Sequence, residues 1–317
     1  MYKKLINEEK HYITLNNYLK YKYNKKVFKI SLNGNFSCPN RDGTISHTGC
    51  IFCSEKGSGD FAGEKTHSLK DQFFEVKQQM EKKWPDGYYI AYFQANTNTY
   101  APLDELKSKY EQIITKDGPI DPKIKILAIA TRPDCLSDEI IEYLSALNKK
   151  IKLIIELGFQ TKHRKTINLI NRGYNNDIFE QTLKKLQKEN IETVVHIING
   201  LPYETKEMMI ETVKYLNDLK INGIKIHMLH IMKNTPLEKY YQENPFPILT
   251  LSEYTDIITT QLRYLNTSIV IHRVTGDSPK ELLIEPLWTL KKFVVINEID
   301  KLMRKEKIYQ GDLLCTK

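Results

Sequence analysis

Seven short runs of β-branched, aromatic and aliphatic residues recur along this chain, and helical patterns stand between them. VFKISL (27–32), YYIAYFQ (88–94), IKILAIA (124–130), KLIIELG (152–158), ETVVHII (192–198), GIKIHML (223–229) and SIVIHRV (268–274) read as strands. Several are apolar almost throughout, as expected where both faces of a parallel sheet are covered. SLKDQFFEVKQQMEKK (68–83) sets Leu69, Phe73, Val76 and Met80 on one helix face behind a Ser68 cap. SDEIIEYLSALN (137–148) opens with a cap and two acids, which suits the positive end of a helix. DIFEQTLKKLQKEN and ETKEMMIETVKYLNDLK continue the alternation. Repeated βα units give an open doubly wound sheet or a barrel, and six or seven units fall short of a full barrel of about eight. The expected fold is α/β, a partial (β/α)6-type TIM barrel of parallel strands with a C-terminal extension. Residues 1–26 read as a basic aromatic segment, 27–247 as the barrel core and 248–317 as an extension packed on it.

With 317 residues, 41% of them hydrophobic, the chain can bury a substantial core. The start, MYKKLINEEK, is polar, and no run approaches the ~18 apolar residues of a membrane span. The sequence reads as soluble and cytoplasmic, with no membrane partner. The net charge of +8 allows an anionic partner. Five cysteines in a chain of this size argue against a disulfide framework and for metal or redox chemistry.

Three of the five, Cys38, Cys50 and Cys53, fall in NFSCPNRDGTISHTGCIFCSE just after the first strand. That loop lies at the C-terminal end of the strands, where α/β folds build sites. Gly43 and Gly49 allow tight turns there. Structural zinc would need a fourth ligand, for which His47 is available. A redox Cys-x-x-Cys would use Cys50 and Cys53 and leave Cys38 unexplained. An iron–sulfur cluster on three thiolates would keep one iron open for a substrate or cofactor.

CxxC after the first strand is followed by ELGFQT (156–161), INRGY (170–174) and INGLP (198–202) at later strand ends. This ordered series resembles the radical S-adenosylmethionine (SAM) superfamily, in the branch containing the Elongator catalytic subunit and the oxygen-independent coproporphyrinogen dehydrogenases. NGNFSCPNRDGT, GCIFCSEKGSGDFAG, TRPDCL, GLPYET and IKIHMLH are similar to the YhcC/YtqA-like group. The resemblance covers nearly the whole chain. It implies a [4Fe–4S] cluster on Cys38, Cys50 and Cys53, with one iron free to chelate S-adenosylmethionine. It further implies reductive cleavage to a 5′-deoxyadenosyl radical, fed by an external electron donor such as flavodoxin or ferredoxin.

The same resemblance places Phe52 near the adenine, and Gln160 and Arg172 on the cofactor, with Arg172 expected to serve the ligand and leave the fold unaffected. Glu156, a lone carboxylate in an apolar strand, reads as a contact to ribose or substrate, or as half of an ion pair. The family's Gly-Gly-Glu is replaced here by QANTNTYA, making Gln94, Asn96, Thr97 and Asn98 the polar candidates. Ala130 stands where related proteins carry Glu, which brings forward Thr131 and Arg132. His196, His227, His230 and His272 lie on or just beyond predicted strands, with one expected to face the substrate. Cys135 reads as an inert buried thiol, and with Cys315 it is too little for a second cluster.

HYITLNNYLKYKYNKKVFK interleaves lysine with aromatics, a composition that suits single-stranded RNA, so Lys20, Lys22, Lys25 and Lys26 are candidate tRNA contacts. By resemblance the substrate is a tRNA wobble uridine, whose carboxymethylaminomethyl group becomes aminomethyl. The alternatives are a radical enzyme for a small-molecule or porphyrin-like acid, and a non-catalytic zinc-stabilised RNA-binding protein.

Overall fold

The computed structural model describes residues 3–57 and 59–314; Cys315 lies outside the described residues. Each of the seven expected strands forms: β1 (Val27–Leu32), β2 (Tyr88–Phe93), β3 (Ile124–Thr131), β4 (Lys152–Gln160), β5 (Glu192–Asn199), β6 (Gly223–Met228) and β7 (Val270–Arg273). They make one sheet in chain order, and every neighbouring pair is parallel. A doubly wound sheet reverses its order at a switch point. This one never does, so the crossovers lie on one face and the sheet curls into a partial barrel. Its seventh strand comes from within residues 248–317 and bonds directly to β6, one strand beyond the six-unit expectation.

The main helices are α1 (Leu15–Tyr23), α2 (Leu69–Glu81), α3 (Leu103–Tyr110), α4 (Asp138–Lys150), α5 (Arg164–Leu169), α6 (Asn176–Lys188), α7 (Lys206–Asp218), α8 (Pro236–Glu243), α9 (Leu251–Arg263) and α10 (Lys292–Lys305). Ser68 and Ser137 cap α2 and α4 as their positions suggest, accepting from the N–H groups of Asp71 and Ile140. Alternate strand residues divide between two apolar layers. Phe93, Leu127, Ile155, Val195 and Ile226 face outward to Phe73, Leu144, Phe179 and Val213 of the helices. Ile90, Tyr92, Ile126, Ala128, Ile154 and Val194 face the lumen.

The N-terminal segment completes that inner layer. Ile13, Tyr18 and Leu19 are buried against the lumen residues. Ile271 donates its N–H to Ile13 O (2.8 Å), so the segment covers the free side of β7. Gln310 fastens it, accepting from Ile13 N–H (2.9 Å) and donating to Ile269 O (2.8 Å). Tyr23 meets Tyr88 at the start of β2, and Lys22 lies near Lys152 and Glu192 at the starts of β4 and β5. Helix α1 therefore stops the lumen at the N-terminal ends of the strands, the end opposite the cysteine loop.

Of the lysine–aromatic segment expected to contact tRNA, Lys20, Lys22 and Lys26 are exposed, whereas Tyr18 is not. Tyr18 is core, Lys25 pairs with Asp86 (2.7 Å), and Lys26 lies 3.4 Å from the Trp84 ring centroid. The lysine–aromatic alternation is that of a plug whose apolar side faces inward. Leu19 is 2% exposed, so Leu19→Ala is expected to cost roughly 2–5 kcal/mol in urea unfolding. A loss below about 1 kcal/mol would show that α1 does not pack as a plug.

Candidate active site

Between β1 and α2 the cysteine loop is held mainly by polar side chains. Arg41 threads across it, donating to Glu55 O (2.8 Å), Cys53 O (3.0 Å) and Ser54 O. Gly49, at φ +74°, leaves room for that guanidinium: a Cβ there would lie 3.0 Å from Arg41 Nε. Asn171 donates to Gly49 O (2.7 Å) from the loop after α5, and Ile51 N–H reaches Ile170 O (3.1 Å). Asn40 donates to Asn171 O (2.6 Å), while its Oδ1 is shielded and without a partner.

Burial, and then the nearness of Cys53 and Cys38, push the Cys50 thiol up to about 12 against the pull of Arg132. A bound cation would offset that cost and draw off the thiol protons. His47 is exposed and does not border the cavity. Among the described residues, no three His, Cys, Asp or Glu side chains converge on one ion position. A Cys3His zinc site is thus not assembled. Three thiols without a fourth ligand suit an iron–sulfur cluster, which Cys38, Cys50 and Cys53 would hold.

Ten of the expected site residues border one cavity of about 850 Å³, namely Cys38, Cys50, Cys53, Phe52, Gln94, Asn96, Thr131, Glu156, Gln160 and Arg172, whereas Asn98 does not. Phe52 packs against the Ile170, Leu201 and Leu229 group. Asn96 donates to Phe36 O (3.0 Å), and Thr131 shares a 2.6 Å hydrogen bond with Thr99, so both also brace their loops. Gln160 sits at a register shift between β4 and β5 with φ +61°, and its Oε1 is shielded with no partner. A strained backbone and an unpaired acceptor on the cavity wall suit a residue waiting for a ligand.

Arg172 differs from its expectation. It is fully buried and donates to Tyr174 O (3.0 Å), Phe159 O (2.5 Å), Thr161 O (3.1 Å) and Asn176 Oδ1 (2.8 Å). Its N–H groups tie the end of β4 to the loop after α5, and Arg132 grips that loop by donating to Arg172 O (2.9 Å). Arg172 braces the fold beside the site. Arg172→Ala removes the side-chain donor from Tyr174 O and Thr161 O, at about 1–3 kcal/mol each, so it is expected to lower unfolding free energy by roughly 2 kcal/mol or more. Unchanged stability in denaturant unfolding would restore the purely ligand-binding role.

Glu156 occupies the middle of the lumen, 1% exposed. Its carboxylate accepts from Tyr92 (2.7 Å), Lys29 (3.1 Å), His196 (2.8 Å) and Lys225. Burial pushes this carboxyl up, but Lys225, Lys29 and His196 outweigh it and hold Glu156 well below the usual carboxylate range. Sequence reasoning isolated Glu156 and missed both lysines. The signal was present, because Lys29 and Lys225 each interrupt an apolar strand as Glu156 does.

Residues 41–216 match the description "Radical SAM superfamily", and residues 221–305 match "Radical_SAM C-terminal domain". The chain belongs to the radical SAM superfamily. It is 46% identical to YtqA of Bacillus subtilis over 305 residues, 96% of this chain and 93% of that one. It is 30% identical to YhcC of Escherichia coli over 294 residues, 92% of each chain. Among solved structures, Elp3 of Methanocaldococcus infernus superposes with a TM-score of 0.65 at 14% identity, over 90% of this chain and 64% of that one, a likeness of fold. Radical SAM proteins use a [4Fe–4S] cluster and S-adenosylmethionine.

Burial and then Lys225 lower His196 to about 4, with Glu156 opposing; burial lowers His230 to about 4 as well. His227 and His272 are held well below the usual histidine range, again first by burial. Unfolded, these rings take up protons as the pH falls through 6.5, whereas the folded rings resist. Stability is therefore expected to decline from pH 6.5 toward 4, by up to about 1.4 kcal/mol per pH unit for each ring. Glu156 has the same sign, its share being present above about 4.5 and lost as the pH falls further. Urea unfolding across this range checks it: His196→Gln should flatten the acid limb, and a flat limb in the parent would contradict neutral buried rings.

Proposed function

We propose that this radical SAM protein acts on the wobble uridine of tRNA, converting a carboxymethylaminomethyl group to aminomethyl, with electrons from flavodoxin or ferredoxin. The observation that carries the reading is one shared cavity: the three thiols border it at the strand ends, and Lys29, Lys225, Arg273 and the lumen histidines line it too. When bound, the cluster and S-adenosylmethionine supply reductive cleavage of the sulfonium bond and removal of hydrogen from an unactivated carbon. Cys38, Cys50 and Cys53 hold the cluster. Gln160 Oε1 offers an acceptor for the cofactor's ammonium, and Gln94 and Asn96 present polar groups on the same wall. The apolar layers around the lumen exclude water from the reacting centre.

A polyanionic partner is supported by the net charge of +8. Phe61, 58% exposed and bordering the cavity, offers a ring on which a splayed base can stack. Mass spectrometry of tRNA nucleosides tests the reading. A strain lacking this chain should accumulate the carboxymethylaminomethyl nucleoside and lose those derived from the aminomethyl form. Parent chain should restore them, while Cys53→Ala, expected to lose the cluster iron, should not. Unchanged nucleosides in the deletion strain would overturn the tRNA reading in favour of a carboxylated small molecule.

A further inference from the structure

Strands β6 and β7, with the loops that follow them, bring His227, His230 and His272 to the wall of the cavity. His227 Nε2, His230 Nε2, both ring nitrogens of His272 and the neighbouring Ser278 Oγ are shielded from water without a hydrogen-bond partner. These are five of the nine such side-chain atoms found among the described residues, all on residues that border the cavity. Native proteins keep few buried polar atoms unpaired, because each has lost its water and gained nothing in return. Such atoms on a cavity wall suit recognition of a polar ligand.

The charges say which ligand. Glu156 is shared by Lys29 (3.1 Å) and Lys225, and Asp277 by Arg273 (3.1 Å) and Lys292 (3.0 Å). All six border the cavity, four cations against two carboxylates, a formal excess of two positive charges. Burial lowers the Lys225 ammonium well below the usual lysine range, with Glu156 opposing and Lys29 and Arg273 adding to the descent. An anion here would relieve that repulsion, and neutral imidazole N–H groups would complete its shell.

We propose that His227, His230 and His272, with Lys225 and Arg273, form a subsite that takes a carboxylate of the substrate. The proposal rests on the tRNA reading above only for the identity of the molecule bearing that carboxylate. A phosphate shares the same chemistry, so the test separates the two.

The full chain is used with its cluster and S-adenosylmethionine bound. Two anticodon stem-loop RNAs, one with 5-carboxymethylaminomethyluridine and one with 5-aminomethyluridine at the wobble position, are titrated against the parent and His272→Leu. The parent is expected to prefer the carboxylated RNA at least ~10-fold, the scale of one charge-assisted contact, and His272→Leu to reduce the preference below ~3-fold. Since the His272 nitrogens bond to nothing in the free protein, His272→Leu should melt at the same temperature as the parent or higher, with unchanged iron content. That combination, binding lost and stability kept, separates a recognition role from a packing one. A lowered melting temperature would assign His272 to the fold and overturn the proposal. Equal binding of both RNAs by the parent would overturn it too. So would inorganic phosphate displacing the carboxylated RNA better than N-methylglycine does. If neither RNA binds, but N-methylglycine and not methylamine raises the melting temperature of the parent and not of His272→Leu, the tRNA reading falls and the carboxylate subsite stands.

Discussion

Glu156 stands on the central strand with its carboxylate turned into the lumen, and four other strands reach it: Lys29 from β1, Tyr92 from β2, His196 from β5 and Lys225 from β6. Its own β4 makes five of the seven. Between β2 and β4, Ala128 is in register with Tyr92 and Ala130 with Glu156, so only methyl groups intervene. A buried charge is tolerated only when its hydrogen-bonding capacity is filled. Here filling it dictates the curvature, because donors from distant strands meet one carboxylate only if the sheet closes round it. The lumen is consequently polar above and apolar below, where α1 stops it.

The cysteine loop depends on the same principle of satisfying buried polar groups. It is long and irregular, and Arg41 and Asn171 pair backbone groups that a helix or strand would have paired internally. Arg172 and Arg132 do likewise for the end of β4 and the loop after α5. These residues touch the region of the cofactors while spending their hydrogen bonds on the protein. Motif position alone cannot separate such a brace from a ligand, since both kinds of residue occupy strand-end loops.

Much of the architecture was legible in the chain. Apolar runs with β-branched residues marked all seven strands, and Ser68 and Ser137 marked helix starts, because propensity and capping act over a few neighbouring residues. The three cysteines and their loop were equally plain, as spacing and strand-end placement are local properties. The plug formed by the N-terminal segment was not legible, because composition does not say which side of a helix is covered: Tyr18 and Leu19 face the lumen.

What the sequence determined by itself was the set of elements, their parallel βα order and the chemical type of the donor set, all consequences of local pattern. Only the tertiary structure decided that the strand order never reverses, that the sheet closes around Glu156, and that α1 becomes the stopper. It alone showed Arg172 facing carbonyls, and the nitrogens of His227, His230 and His272 left unpaired beside an excess of positive charge. Those outcomes depend on which groups meet across long stretches of chain, as Lys29 and Glu156 do. The desolvation and pairing that decide them exist only after the sheet has curled.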